Sequence, residues 1–551
     1  MRQRTFQGVQ EVDFVVVGSG AAGGVLAKEL SSAGFDVVVL EQGPWRRSQD
    51  FTHDEVGHFF GSELIGSPTD FPQTFRSSPT EVAQPRNGGF PPLLYARGVG
   101  GSSVHFTANY WRFREVDFRE RSLLGPVAGT TFADWPIDYA ELEPYYTKVE
   151  WEIGVSGAPG PFDPPRSRAY PMPPLPVKSS GVLLERGARQ LGLHAQPAPM
   201  AILSRAHDGR SPCQHCGYCM FFGCEFGAKS STLVSVIPKA VATGRCEVRP
   251  ESTVFRIETD AAGRATGVLY WDAAGVERRQ RARAVVVAAN GAETTRLLLM
   301  SDASRFPNGL ANSSGMVGKN LMFNGYTSAY GVFEQPLNEY KSVQVTRIIM
   351  DYYQTDPKRG FYGGGGIDAR LGGSPLLFAL FGLPPGAPQW GAEYKRMLAE
   401  YATRTMEVAG HTTSLAVETN SVSLDPAVKD KWGRPALRAT YRDHRDDLRA
   451  MQFMVDRSKE LLEAAGAKRV WAFDVGPQAG GAHLLGTARM GNDPRTSVVN
   501  RDHRAHDVPN LFICDGSSFV TSGRGQPTMT IQALAFRAGE RIAASVRRGE
   551  L

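Results

Sequence analysis

Between Asp13 and Gly43 the chain reads DFVVVGSGAAGGVLAKELSSAGFDVVVLEQG, and no other stretch restricts the fold as much. Phe14 to Val17 form a short apolar run that suits a strand buried on both faces. Gly18-Ser19-Gly20-Ala21-Ala22-Gly23 follows at once, then a segment rich in Ala, Leu, Lys and Glu that suits a helix. Gly34 stops that helix, and Val37 to Leu40 make a second buried strand ending at Glu41. This is a βαβ unit carrying G-x-G-x-x-G. Gly18 permits the tight turn, Gly20 lets a pyrophosphate approach the backbone, and Gly23 lets helix and strand pack closely. The N–H groups and positive dipole end of the helix face the phosphates. Glu41 stands where a carboxylate accepts from a ribose 2′-hydroxyl. The stretch therefore predicts a dinucleotide site.

With 551 residues the chain exceeds what one hydrophobic core usually serves, so two domains or one heavily inserted domain are expected. A hydrophobic content of 42% with 21% charged residues is that of a soluble globular protein. The net charge of +5 is small for this length, and no basic run interleaves with aromatics, which excludes a nucleic-acid-binding reading. No apolar stretch reaches the ~18 residues of a transmembrane segment. The N-terminal MRQRTFQGVQEVDF lacks the apolar core of a signal peptide, so a cytoplasmic location is expected. Four of the six cysteines lie between Cys213 and Cys224, which marks a local site rather than a disulfide framework.

Pro44 to Pro92 is irregular and long, as a lid or cofactor cover would be. A second Gly-rich loop follows, Arg97-Gly98-Val99-Gly100-Gly101-Ser102-Ser103-Val104-His105. Trp135-Pro136-Ile137-Asp138-Tyr139 opens a helix with Leu142, Tyr145, Tyr146 and Val149 on one face. Pro159 to Pro176 reads as a linker and Gly181 to Leu193 as an amphipathic segment. Alternating strands begin at Cys246, and a helix is expected from His444 to Ala465. The chain closes with NLFICDGS and a helix, PTMTIQALAFRAGERIAASV.

Two Gly-rich loops far apart in sequence, with a strand ending in Asp515, suit a long dinucleotide held extended. These segments, together with VVVAANGAETTRLLL and HLLGTARMGNDP, resemble the glucose–methanol–choline (GMC) oxidoreductase family. The similarity is greatest to its gluconate 2-dehydrogenase large-subunit and sugar dehydrogenase branch. The resemblance covers the nucleotide-binding segments and most of the chain after His483; the middle matches loosely.

It implies an α/β fold: a Rossmann-like FAD-binding domain with an inserted α+β substrate-binding domain built on an antiparallel sheet. The FAD-binding domain is expected to be discontinuous, over 1–134, 205–320 and 480–551, with 135–204 and 321–479 facing the substrate. FAD would be held by Gly18, Gly20, Ala21, Ala22, Gly23, Glu41, Arg97, Gly100, Gly101, Ser102, Ser103, His105, Val254, Asp515 and Gly516. The resemblance places His483 as the general base that takes the hydroxyl proton of a CH–OH substrate, for which an imidazole is suited. The family's second catalytic position, a His or Asn before the final helix, holds Gln526 here. Its amide would position the substrate oxygen or the base, with the contact shifted because Gln is a methylene longer than Asn; the alternative is an ordinary polar residue pointing away before Pro527. Ser103-Val104-His105-Phe106 is similar to the segment of pyranose oxidases that carries a covalent flavin link, so His105 is either such a link or an unmodified wall residue.

Cys213, Cys216, Cys219 and Cys224 have the density of a metal site. A related dehydrogenase branch implies an iron–sulfur cluster there; buried thiols or a local disulfide are the alternatives. The expected activity is oxidation of a sugar, sugar acid, polyol or glycoside to the carbonyl, with electrons passed to a quinone, a cytochrome partner or O₂. The alternatives are an alcohol or sterol oxidase, a flavin photodecarboxylase-type lyase, and an inactive flavin-binding subunit. The resemblance also allows a small partner subunit, and periplasmic residence by co-export with a signal-bearing partner.

Overall fold

Apolar runs bounded by glycine turns must leave water, and in the computed structural model they do so as one parallel sheet. Residues 4–7, 10–60, 64, 66–86, 90–370 and 374–551 are described. Cys246–Arg249, Val37–Leu40, Val12–Val17, Glu277–Val287 and Leu511–Ile513 lie side by side in that order, all parallel. Val15, Val16, Val37, Val38, Val285 and Val286 are fully buried, each contributing about 1.5–3 kcal/mol of transfer free energy. The Gly23–Ser32 helix and the closing Thr528–Arg547 helix cover this sheet with Val25, Leu26, Leu30, Leu534 and Ile542.

Glu277–Val287 does two jobs. Its C-terminal half pairs parallel with Val12–Val17, while its N-terminal half folds back antiparallel on Ala265–Trp271, which pairs with Thr253–Thr259. The burial pattern follows, with exposed and buried residues alternating in the first half and every residue of Ala284–Val287 buried.

A second sheet of six strands is antiparallel throughout. Its order is Arg469–Ala472, Gly325–Val332, Thr405–Thr412, Gly365–Arg370, Arg347–Ile349 and Ala195–Pro197. The Arg445–Ala464 helix, capped by His444, lies across it through Met454, Leu461 and Leu462. This is the expected α/β architecture with an antiparallel second layer. A third, smaller sheet joins Ser421–Lys429, Pro435–Thr440, Gln73–Arg76 and Gln84–Pro85.

The helix expected after Trp135 runs from Tyr139 to Val149, capped by Asp138. It packs on the closing helix of the parallel layer, where Tyr146 Oη meets Thr530 Oγ1 at 2.8 Å and Arg537 pairs with Glu141. Of the long segment 44–92, residues 61–63, 65 and 87–89 lie outside the described residues. The rest forms a short Glu55–Phe60 helix and the Gln73–Arg76 strand.

Candidate active site

A cavity of about 610 Å³ runs from the first Gly-rich turn to the edge of the second sheet. At one end it is walled by backbone. Gly18 has φ +92°, and a Cβ there would lie 2.5 Å from the Ala288 carbonyl oxygen. A Cβ on Gly23 would lie 2.0 Å from the Gly18 carbonyl oxygen, so only glycine lets helix and turn close up. Gly101 of the second loop approaches Gly20 so closely that its Cβ would stand 2.7 Å from the Gly20 Cα. Thr232 Oγ1 donates to Ser19 O and Gly100 O and so ties the two loops together. Sequence reasoning did not single out Thr232, which carries no motif of its own.

Glu41 is buried at the end of Val37–Leu40. Its Oε2 accepts from Ser19 N at 3.0 Å and Ser19 Oγ at 2.7 Å, and its Oε1 from Gly43 N at 3.0 Å. Burial raises its pKa against the pull of those hydrogen bonds. The Gly98 backbone N–H also donates to this carboxylate, which is thus tied to both Gly-rich loops. Asp515 is held in the same way, accepting from Ser517 N at 2.7 Å and Thr294 Oγ1 at 2.6 Å, with its pKa also raised by burial.

Gly18, Gly20, Ala21, Ala22, Glu41, Gly101, Ser102, Ser103, His105, Val254, Asp515, Gly516, His483 and Gln526 all line this one cavity. Gly23, Arg97 and Gly100 stand behind the wall. Arg97 lies 3.8 Å over the Phe71 ring and donates to Tyr95 Oη, and Gly100 N donates to Ser19 Oγ. His105 Nδ1 bonds the Phe221 carbonyl oxygen at 2.7 Å, which leaves Nε2 as the unprotonated nitrogen of a neutral ring. Burial and then the nearby Lys229 lower its pKa to about 3.

The other end is built from side chains. The Asn324 amide nitrogen donates to Thr412 O and Ser522 O, both at 3.2 Å, so its oxygen is free to accept from His483 Nδ1 at 3.1 Å. That fixes the tautomer of His483 and leaves the Nε2 lone pair unprotonated. Burial, then the proximity of His411, lowers the His483 pKa to about 3, so the imidazole is neutral.

His411 was missed by sequence reasoning, and so were Asp368 and Arg370. The sheet register brings them together. Gly366 pairs with His411, Asp368 with Ala409 and Tyr326 with His411, so Asp368, Arg370 and His411 share one face. Asp368 Oδ2 accepts from His411 Nε2 at 2.8 Å and from Asn109 Nδ2 at 3.0 Å, while Arg370 pairs with both carboxylate oxygens of Asp368. Burial opposes ionisation of Asp368, but Arg370 and His411 outweigh it and hold the carboxyl at about 2. With its Nε2–H given to Asp368, His411 presents Nδ1 to the Gln526 amide at 3.2 Å. Gln526 therefore lines the cavity in contact with a second histidine. Polar residues two apart in strands of otherwise small or apolar side chains were the available signal. The pairing that unites them was not legible.

The four cysteines are free thiols. Burial raises the pKa of Cys213 to about 11 and of Cys219 to about 12. Among the described residues the group whose donor atoms all lie within 4.8 Å is His53, Cys216 and Glu225.

A backbone cradle at a βαβ turn, two buried carboxylates along the cavity and a pair of histidines at its far end define an oxidoreductase site of a known kind. The chain belongs to the GMC oxidoreductase family: the N-terminal family model matches residues 12–324 and the C-terminal one residues 416–535. It is 34% identical to a 2-methyl-1,2-propanediol dehydrogenase of Mycolicibacterium austroafricanum, over 97% of this chain and 95% of that protein. It is 28% identical to a gluconate 2-dehydrogenase flavoprotein of Pantoea cypripedii, over 97% and 94%. The fold is similar to that of pyridoxine 4-oxidase from Mesorbium loti, with a TM-score of 0.65 at 18% identity over 96% and 98% of the two chains.

Proposed function

We propose that this protein is an FAD-dependent dehydrogenase oxidising a CH–OH group of a polar, polyhydroxylated substrate such as a polyol, sugar, sugar acid or glycoside. The observation that carries the reading is the polar set Asn324, Arg370, His411, Gln478, His483 and Gln526 in the lining of the cavity. A sterol or long-chain alcohol would offer no hydrogen-bond partner to His483 Nε2 or the Gln526 amide oxygen, at about 1–3 kcal/mol for each left buried and unpaired. The two relatives named above are a diol dehydrogenase and a gluconate dehydrogenase, which agrees with a hydroxylated substrate.

The residues fit FAD. Gly18, Gly20 and Gly101 line the cavity where a pyrophosphate would lie against backbone, and Glu41 and Val254 line it where the adenosine half would lie. FAD bound there supplies the two-electron acceptor for a carbinol hydride. His483 Nε2, neutral and oriented by Asn324, takes the hydroxyl proton. Gln526, whose amide is held by His411 Nδ1, orients the substrate oxygen from the opposite side. Asp368 and Arg370 hold His411 in place and in a defined tautomer. His105 Nε2 is the nitrogen we assign to covalent attachment of the flavin, since Nδ1 is taken by Phe221. We assign the onward acceptor to a quinone or cytochrome.

Anaerobic mixing of the yellow holoprotein with a panel of polyols, sugars and apolar alcohols tests the reading. Bleaching of the flavin by hydroxylated substrates is expected. Bleaching by sterols or long-chain alcohols alone sinks the substrate class, and peroxide formation as fast as turnover with a quinone sinks the dehydrogenase assignment. Yellow colour retained in an acid-precipitated pellet is expected for the link through His105, and a colourless pellet rules it out.

A further inference from the structure

His53, Cys216 and Glu225 take part in none of the chemistry above. They come from two segments: His53 from the 44–92 cover, and Cys216 and Glu225 from the cysteine-rich loop. Their donor atoms all lie within 4.8 Å of one another. His53 Nε2 and Glu225 Oε2 stand 3.4 Å apart, both are shielded from solvent, and neither makes a hydrogen bond. Tyr218 stacks on the His53 ring at 3.9 Å with planes 5° apart, and Phe222 meets its edge, so the imidazole is held where it is.

A simple ion pair at this distance would normally align a hydrogen bond, and this one does not. Two donors each about 2.0–2.2 Å from a tetrahedral ion, however, stand roughly 3.3–3.5 Å apart, and a thiolate at about 2.3 Å completes a third corner. An imidazole, a thiolate and a carboxylate together favour zinc over magnesium or calcium, which take oxygen ligands.

We propose that His53, Cys216 and Glu225 bind a zinc-class divalent cation, with water at the fourth position and the Cys216 proton released to solvent. The ion would clasp the cover segment onto the loop whose Met220 and Phe221 line the cofactor cavity. The Phe221 carbonyl oxygen accepts from both His58 Nε2, at 2.8 Å, and His105 Nδ1. A clasp at Cys216 and Glu225 therefore steadies the peptide that positions His105.

The test begins with elemental analysis of the purified protein after Zn²⁺ addition and desalting. One zinc per chain is expected, falling to background in Cys216→Ser, Glu225→Gln and His53→Gln. In case a variant misfolds, Co²⁺ titrated into the wild-type protein should give ligand-field absorption to the red of the flavin bands. In His105→Ala protein, whose flavin is held non-covalently, removal of the ion by dipicolinate should speed flavin dissociation roughly tenfold, restored by Zn²⁺. The metal count is independent of the proposed function; only the flavin-release arm rests on FAD occupying the cavity. No bound zinc, equal zinc in all three variants, or iron with acid-labile sulfide in its place would each overturn the site. Unchanged flavin release would overturn the clasp.

Discussion

The two ends of the cavity are made differently. The end at Gly18 is backbone: glycine turns, a helix N-terminus and carboxylates held largely by main-chain N–H groups. It is built on the continuous stretch from Gly18 to Glu41 and completed by the second Gly-rich loop and Asp515. The end at His483 is side chain: Asn324, Asp368, Arg370, His411, His483 and Gln526 converge from five separated segments. The first end is a surface of fixed shape that binds. The second is a hydrogen-bond network in which each group sets the protonation or aim of the next, as chemistry requires. Binding and reaction should therefore fail separately.

The sharpest separation is His483→Ala. It should slow anaerobic flavin bleaching by about 10²–10⁴-fold while the flavin content stays at the wild-type value; a matching loss of flavin would erase the contrast. Next comes Asp368→Leu, which leaves the buried Arg370 guanidinium without its partner. A destabilisation of about 3–5 kcal/mol is expected in denaturant titration, and a change below ~1 kcal/mol would mean that Arg370 finds another partner. Gly18→Ala attacks the other end, where φ +92° alone costs roughly 1–2 kcal/mol and the Cβ would strike the Ala288 carbonyl. Flavin occupancy should fall, yet the reduction rate per bound flavin should hold. Gln526→Ala removes one hydrogen bond to His411, about 1 kcal/mol, and should lower the reduction rate about fivefold without touching occupancy.

The mildest test is pH. Burial lowers the His483 pKa to about 3, so the neutral, proton-accepting form persists well below the ordinary value near 6.5. The reduction rate should stay level from pH 8 to pH 5 and decline only as pH falls further; a halving near pH 6.5 would show an unperturbed imidazole. The sign for stability is the same. The unfolded chain takes up this proton near 6.5 and the folded one near 3, so the stability due to a neutral His483 is complete above 6.5 and lost as pH falls toward 3.

This contrast also explains how much of the molecule was legible in the sequence. Gly18 to Glu41 encodes its own fold, because turn, helix and strands all lie within thirty-odd residues. The helices starting at Tyr139, Arg445 and Thr528 were readable from spacing and caps. The place of His411 was not readable. It depends on a three-strand register, Tyr326 opposite His411 and His411 opposite Gly366, which no local pattern specifies. Likewise the cysteine spacing drew attention to four thiols, whereas the convergent donors include His53, more than 150 residues upstream of Cys216.

The parallel sheet has a consequence for how the chain is made. Its strands come from residues 12–17, 37–40, 246–249, 282–287 and 511–513. The cradle emerges first from the ribosome, yet its inner neighbour, the Glu277–Val287 strand, lacks its outer partner until Leu511–Ile513 has been synthesised. Contacts of such long range form slowly. Asp515 and the closing helix arrive later still, so the cofactor site is completed in the last moments of synthesis. Until then the valine strands present an open edge, and this interval is when the nascent protein is most exposed to aggregation.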